Sequence, residues 1–565
     1  MRPGLVALVL LAAPPLHAQE KVDLDSTHRI RVEALQNGKV MEHLFYLTDV
    51  NGPRLTASPG FRTAAAWSTE RLKEWGLSNV HLEPWGTFGR SWSLRHFSAH
   101  MIQPTYAPLG GIPRAWSGGT AGPVTGEVVF APVWQPWEDE DRGDLPKLVA
   151  RIDKYTAEQR GKLRGKIVMV EPLREMALPT RPAVDRYDAS ELDSLAVAPD
   201  AFARPDFEWP LTGLPEDAKK RRQLMASLPG EVTSEYYGRL REARAALNAF
   251  FRDEGVLAVL ASDTRGAGGI VFAESAGPWR AGAPVPPPVI VLEPEPYARM
   301  ARLLDKKIPV QVEVDVAVDL PEEPQDGVNV IAEIPGKKNK DEVVMVGAHL
   351  DSWHSGTGAT DNAAGCAVAL EAVRILKMLD LPMDRTVRLA LWSGEEQGLL
   401  GSRGYVRAHF ADPVTMVLKP EHAKLAGYFN LDNGSGKIRG VYLQGNDMVR
   451  PLFESWLAPF KDLGATRLTI RNTGGTDHLP FDAVGLPGYQ FIQDPLDYST
   501  RTHHSHLDVY DHVQAGDLMQ ASAIVATFVY DAATSSEMLP RKPLPKPLPP
   551  KKEPEAQVTT KLNTH

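Results

Sequence analysis

Cysteine is almost absent: Cys366 stands alone in 565 residues, so no disulfide can form within the chain and its stability must come from packing. Its setting, "NAAGCAVALEAV", is apolar and alanine-rich, which suits a buried small side chain better than a nucleophile. An excess of positive charge is also lacking. The 62 Lys and Arg face 71 Asp and Glu, and the formal charge of −9 excludes the basic field that nucleic-acid binding needs. Long hydrophobic runs are missing too. The apolar stretch from Leu5 to Ala13 is too short to span a bilayer. It follows Arg2 and precedes small residues, the pattern of an export signal over 1–18 cleaved after Ala18. The expected destination is the periplasm or the medium, with no transmembrane segment once the signal is removed.

What remains is a chain of ordinary globular composition, 43% hydrophobic and 24% charged, and longer than one core usually supports. Its texture changes twice. Residues 19–95 read as helix, turn, helix and strand, with "GFRTAAAWSTERLKEWGL" stopping at Gly76 and "NVHLEPW" alternating like a strand. From 96 to 325 the short runs "GEVVFAP", "GKIVMVEP", "GGIVFAES" and "PPPVIVLEP" lie between Gly and Pro, predicting an inserted, mainly-β block with a charged helical excursion near 215–254. From 326 to 535, "VNVIAEI", "EVVMVGAH", "TVRLALW", "LAGYFNLD" and "GYQFI" are near-continuous apolar runs, with helical patterns at 362–379, 398–410 and 515–532. That alternation predicts an α/β fold, a mixed, mostly parallel sheet sandwiched by helices. Residues 536–565 are rich in Pro and Lys and are expected to form a disordered tail.

The acids and histidines fall at the ends of those strands. "VVMVGAHLDSW" ends in His349 with Asp351 beyond it; "TGATDNAAG" holds Asp361; "LWSGEEQG" holds Glu395 and Glu396; "GYFNLDNG" holds Asp432; "RTHHSHLDVYD" holds His503, His504, His506 and Asp508. Singly, each has a structural explanation: a strand-end histidine, a helix cap, a solvated pair, a turn. Together they place five segments at one sheet edge. Imidazole plus carboxylate suits zinc or a similar transition metal rather than magnesium, and two ions need a bridging acid.

The set "GAHLDSW…TDNAAG…SGEEQGLLGS…NLDNG…GGTDHLPF…HHSHLD" resembles the di-zinc exopeptidases of the bacterial leucyl aminopeptidase and glutamate carboxypeptidase type, above all their carboxypeptidase Q branch. The likeness extends to "LTDVNGPRLTASPGFRTAAAW" and "GLSNVHLEPW" near the start. It implies a protease-associated domain in the 96–325 block and two Zn2+ ions as cofactors. By position, it implies that His349 and Asp432 hold one ion, Glu396 and His504 the other, and that Asp361 bridges them. Glu395 matches the general base, acting on a water activated between the ions. Asp351 would accept the free N–H of His349. His506 is an alternative to His504, with Asp508 as the acid that follows. A tyrosine found in relatives just before the late histidine is replaced here by His503, so the oxyanion donor would come from His478, Tyr498 or His503.

The implied activity is hydrolysis of peptides near a free N-terminus or of dipeptides. Rival readings are a single-zinc glutaminyl-cyclase-like enzyme and a non-catalytic relative of the transferrin-receptor kind. Homodimerisation stays open.

Overall fold

The computed structural model describes residues 22–547 apart from 137–142, 174–181, 202–213, 216–219, 222–223, 226–227, 229, 264 and 266. The expected signal at 1–18, most of the run before the long insert helix, and the tail from 548 lie outside the described residues.

Two eight-stranded sheets organise the chain. The first runs in the order Ser78–Gly89, Gln325–Ile334, Arg385–Trp392, Asn339–His349, Leu425–Asn430, Gly488–Gln493, Ile438–Tyr442 and Arg467–Thr469. Its centre is parallel: Arg385–Trp392, Asn339–His349, Leu425–Asn430 and Gly488–Gln493 all point the same way. Their carboxyl ends therefore share one edge. The flanking pairs are antiparallel except for Ile438–Tyr442 with Arg467–Thr469. All five expected strands are found.

Helices cover both faces, as continuous apolar strands require. Ala364–Met378 is buried along every residue from Ala364 to Leu376. Its run of alanines lets it lie close between the sheet and Ala515–Thr534, which is almost as fully buried. The opposite face takes Leu400–His409 and Leu479–Asp482, with Trp392, Tyr405, Phe410, Tyr428 and Phe481 interlocked.

Burying the first face encloses one charge group. Glu371 is fully buried and accepts Arg374 Nε at 2.7 Å, with His43 Nε2 at 3.0 Å. Burial alone would raise its carboxyl, but Arg374 and His43 outweigh burial and hold it down to about 2. The sign follows: a depressed acid adds stability above its unfolded value near 4.5 and loses that contribution as pH falls toward its folded value. Urea midpoints of the natural chain and Glu371→Gln are thus expected to lie well apart at pH 6 and to converge toward pH 2.5. A gap that widened on acidification would refute this role.

The second sheet is built entirely between Ser93 and Asp319, in the order Ala107–Pro108, Ser93–Gln103, Gln311–Asp319, Val124–Phe130, Ile167–Met169, Ala258–Ala261, Val289–Leu292 and Gly111–Pro113. This sheet lies in the stretch expected to form an inserted, mainly-β block at 96–325. Helices Leu145–Gln159, Gly230–Glu254 and Pro294–Asp305 pack against it as well, so the block carries more helix than its short runs suggested.

The tail departs from expectation in its first part. Leu539 is buried against the core of the first sheet, and Arg541 donates to the carbonyls of His422, Ala423 and Leu425. Lys542 Nζ reaches Asp482 Oδ1 at 2.5 Å. The Pro and Lys content concealed these anchors, and residues 536–547 are seated on the body of the protein.

Candidate active site

His349 is the last residue of its strand; Glu395 and Glu396 follow Trp392, and Asp432 follows Asn430. Parallel neighbours therefore deliver all four to one edge. Gly394 makes the "SGEE" turn workable: its φ of +68° is left-handed, and a Cβ there would meet Leu400 at 3.0 Å. Asp361 comes from the loop before Ala364–Met378, and His504 from the turn after 498–502, itself at φ +67°. A histidine in that region is held there by its surroundings.

The geometry divides around Asp361. Its Oδ1 lies 3.2 Å from His349 Nε2 and its Oδ2 lies 3.3 Å from His504 Nε2. On one side Asp432 Oδ1 is 3.4 Å from His349 Nε2; on the other, Glu396 Oε2 is 3.1 Å from His504 Nε2. Glu395 stands apart, its Oε2 4.0 Å from His349 Nε2.

The loops are braced from behind. The Asp351 carboxylate accepts Thr56 Oγ1 at 2.8 Å and the backbone N–H groups of both Glu395 and Glu396 at 3.3 Å. It thus fixes the glutamate turn. The expected bond to His349 is made differently: His349 Nδ1 donates to the Asp351 backbone carbonyl at 2.9 Å, while the carboxylate lies at 3.7 Å. A carbonyl only accepts, so Nδ1 carries the hydrogen and Nε2 faces the acids. Asp508 accepts the N–H groups of Thr360 and Asp361 at 2.5 and 3.2 Å, holding the Asp361 loop. Arg54, fully buried, donates to the carbonyls of Leu47, Leu350, Thr357 and Gly358 and ties the loop after His349 to the N-terminal segment.

Acids outnumber bases here, and burial is the leading influence on Asp361, Glu395, Glu396 and Asp508. It pushes Glu396 up to about 8, with Asp361 adding to the effect, and Asp508 to about 7. Glu395 is driven well above its ordinary value by burial and by Asp432, Asp477 and Glu396, against the pull of His349. Asp361 goes the other way: burial is outweighed by His349 and His504, which hold it well below the usual carboxylate range. Burial would lower both histidines, yet the carboxylates hold each well above its ordinary value.

A cation fits this set. His349 Nε2, Asp361 Oδ2, Glu396 Oε1 and Asp432 Oδ1 are buried without a hydrogen-bond partner. His349, Asp361 and Asp432 form one group with metal-ligand spacing, and Asp361, His503 and His504 another. Buried acids in excess, mixed with imidazole nitrogen, match zinc chemistry.

Several expected neighbours lie elsewhere. His506 Nδ1 accepts the Val271 N–H at 3.0 Å, so it is spent on the insert and not on the cluster. His478 is fully buried and its Nε2 donates to the Thr473 carbonyl at 3.0 Å; burial pushes its imidazole down to about 4. With its only N–H committed, His478 has no donor to offer a substrate. His503 stacks on His504 with ring centres 3.7 Å apart, and the Tyr498 ring meets its edge at 4.8 Å.

Two residues of the site gave no sequence signal. Asp477, buried to about 7 by desolvation, accepts Ser402 Oγ at 2.5 Å; it sits in "GGTDHLPF", quoted above for its likeness alone. Glu274, from the insert, lies 2.9 Å from His504 Nδ1.

Residues 329–529 match the model described as Peptidase family M28, so the likeness is to peptidases, a class of hydrolases. The particular likeness is to carboxypeptidase Q: the chain is 27% identical to the Mus musculus protein over 505 residues, 88% of this chain and 87% of that one. Two crystal structures share the fold. A peptidase M28 precursor from Shewanella amazonensis SB2B is 21% identical, with 93% of this chain and 99% of that chain covered and a TM-score of 0.62. BSAP, a zinc aminopeptidase from Bacillus subtilis, is 19% identical over 88% of this chain and 95% of its own, with a TM-score of 0.50.

Proposed function

We propose that this chain is an exported di-zinc exopeptidase that hydrolyses peptide bonds near a free N-terminus, as an aminopeptidase or a dipeptidase. The observation that carries it is Asp361, whose two carboxylate oxygens each face a different histidine, His349 at 3.2 Å and His504 at 3.3 Å. His349 and Asp432 would hold one zinc, Glu396 and His504 the other, with Asp361 between them. When bound, zinc would polarise a carbonyl oxygen and lower the pKa of a water.

The protein's own residues do the rest. Glu395 lacks a close histidine partner and is free to take a proton from the attacking water and hand it to the departing amine. Asp351 keeps Glu395 and Glu396 diverging by holding both backbone N–H groups. His503, beside His504 with its Nε2 3.7 Å from Asp361 Oδ2, and Tyr498, whose ring meets it at 4.8 Å, are the groups placed to donate to a developing oxyanion. The 96–325 block is of protease-associated type in this reading, and the N-terminal signal directs export. Two close histidine–acid halves favour this over a single-zinc cyclase, and the full ligand set favours it over a non-catalytic relative.

The test compares free dipeptides, aminoacyl chromogenic substrates and N-acylated peptides. Hydrolysis of the first two, none of the third, and loss with a chelator that zinc restores are expected. Equal turnover of N-acylated peptides would overturn the exopeptidase assignment.

A further inference from the structure

We propose that Glu274, supplied by the inserted block, is a positioning residue for His504, so that the insert is part of the metal centre. This rests on the zinc-site reading above.

The two histidines facing Asp361 are oriented in different ways. His349 is fixed locally, its Nδ1 donating to the carbonyl of Asp351 two residues on. His504 has no such local carbonyl; its Nδ1 partner is the Glu274 carboxylate at 2.9 Å, 230 residues earlier in the chain. A carboxylate accepts, so Nδ1 carries the hydrogen and Nε2 is turned toward Glu396 and Asp361. A carboxylate behind a ligating imidazole fixes the ring, selects its tautomer and increases its basicity as a ligand.

Glu274 is itself held in place. Arg265 approaches its carboxylate at 3.4 Å, and its backbone carbonyl accepts the Ala115 N–H at 3.0 Å. The segment before it is fastened to the site residue by residue. Val271 exchanges bonds with His506, its N–H to Nδ1 and its carbonyl from the backbone N–H. Phe272 bridges Ser505, and the Ala273 carbonyl accepts Ser355 Oγ at 2.7 Å. Four consecutive insert residues thus engage the two loops that carry His349 and His504. A chance surface contact would not repeat in register over four positions, nor end on a charge-assisted bond to a ligand nitrogen. The left-handed φ of His504 gives that loop a reason to need an outside hold.

The test uses the full-length protein, with zinc content measured by mass spectrometry after equilibration in graded chelator buffers. The natural chain is expected to hold two zinc ions and Glu396→Gln to weaken one. Glu274→Leu is expected to weaken that same one by about 10- to 100-fold, leaving the other unchanged. Glu274→Gln keeps an acceptor but loses the charge, and is expected to weaken the same ion by a smaller factor, on the order of threefold or more. Should the leucine variant not fold, the glutamine variant decides alone. Both ions at natural affinity in the Glu274 variants, or both weakened together with a fall in melting temperature of the metal-free protein, would overturn the positioning role. If Glu396→Gln also left both ions at natural affinity, or the natural chain took up no zinc, the fault would lie in the metal-site reading beneath.

Discussion

Glu395→Gln is expected to lower kcat by about 10²- to 10⁴-fold while zinc content and KM stay near those of the natural chain. The amide keeps the size and hydrogen-bonding reach of the side chain and removes only its capacity to take a proton. Glu395 is the acid for which this should matter most. It is buried at the cluster's edge, its nearest histidine nitrogen is 4.0 Å away, and its environment pushes it toward holding a proton. A carboxyl so disposed has the raised proton affinity that a group accepting a proton from water needs. Its neighbour should fail differently: Glu396→Gln removes an anionic partner 3.1 Å from His504 Nε2, so the loss should appear first in zinc content. Near-full activity in Glu395→Gln, with zinc intact, would assign the base to another residue.

Asp361→Asn is expected to abolish binding of both ions, and turnover with them. Its two oxygens serve different halves of the cluster, so neutralising this one side chain weakens both ligand sets at once. The loop itself should survive, since Asp508 holds it by the backbone N–H groups of Thr360 and Asp361. Melting temperature of the metal-free protein should therefore move little. The measurement is zinc per chain after dialysis, against His349→Ala and Glu396→Gln, each of which should spare one ion. A full zinc retained by Asp361→Asn would show that Asp361 does not bridge.

The central strands were legible because burial on both faces demands long apolar runs, and each ends in a residue that such a run would exclude. His349 after "VVMVGA" and Asp432 after "GYFNL" stand out for that reason. The short strands Ile438–Tyr442 and Arg467–Thr469, the last two in the sheet, lack such runs and pass unnoticed. The roles of supporting residues were less readable. Asp351 was expected to act on an imidazole but clamps a turn, because the choice between its carbonyl and its carboxylate depends on where the strand stops. His506 and His504 are two residues apart in the same polar run, and only the insert's position separates their partners. Glu274 reads as the end of a β-run in a distant block; nothing local ties it to a histidine 230 positions on.

The single cysteine has a practical consequence. Cys366 is fully buried, its Sγ donates to the His349 carbonyl at 2.9 Å, and burial pushes its thiol up to about 12. The thiolate that alkylating reagents attack is therefore scarce and inaccessible in the folded state. One cysteine introduced on the insert surface would then be the sole site of modification, so spectroscopic probes could be attached without first rebuilding the helix behind His349.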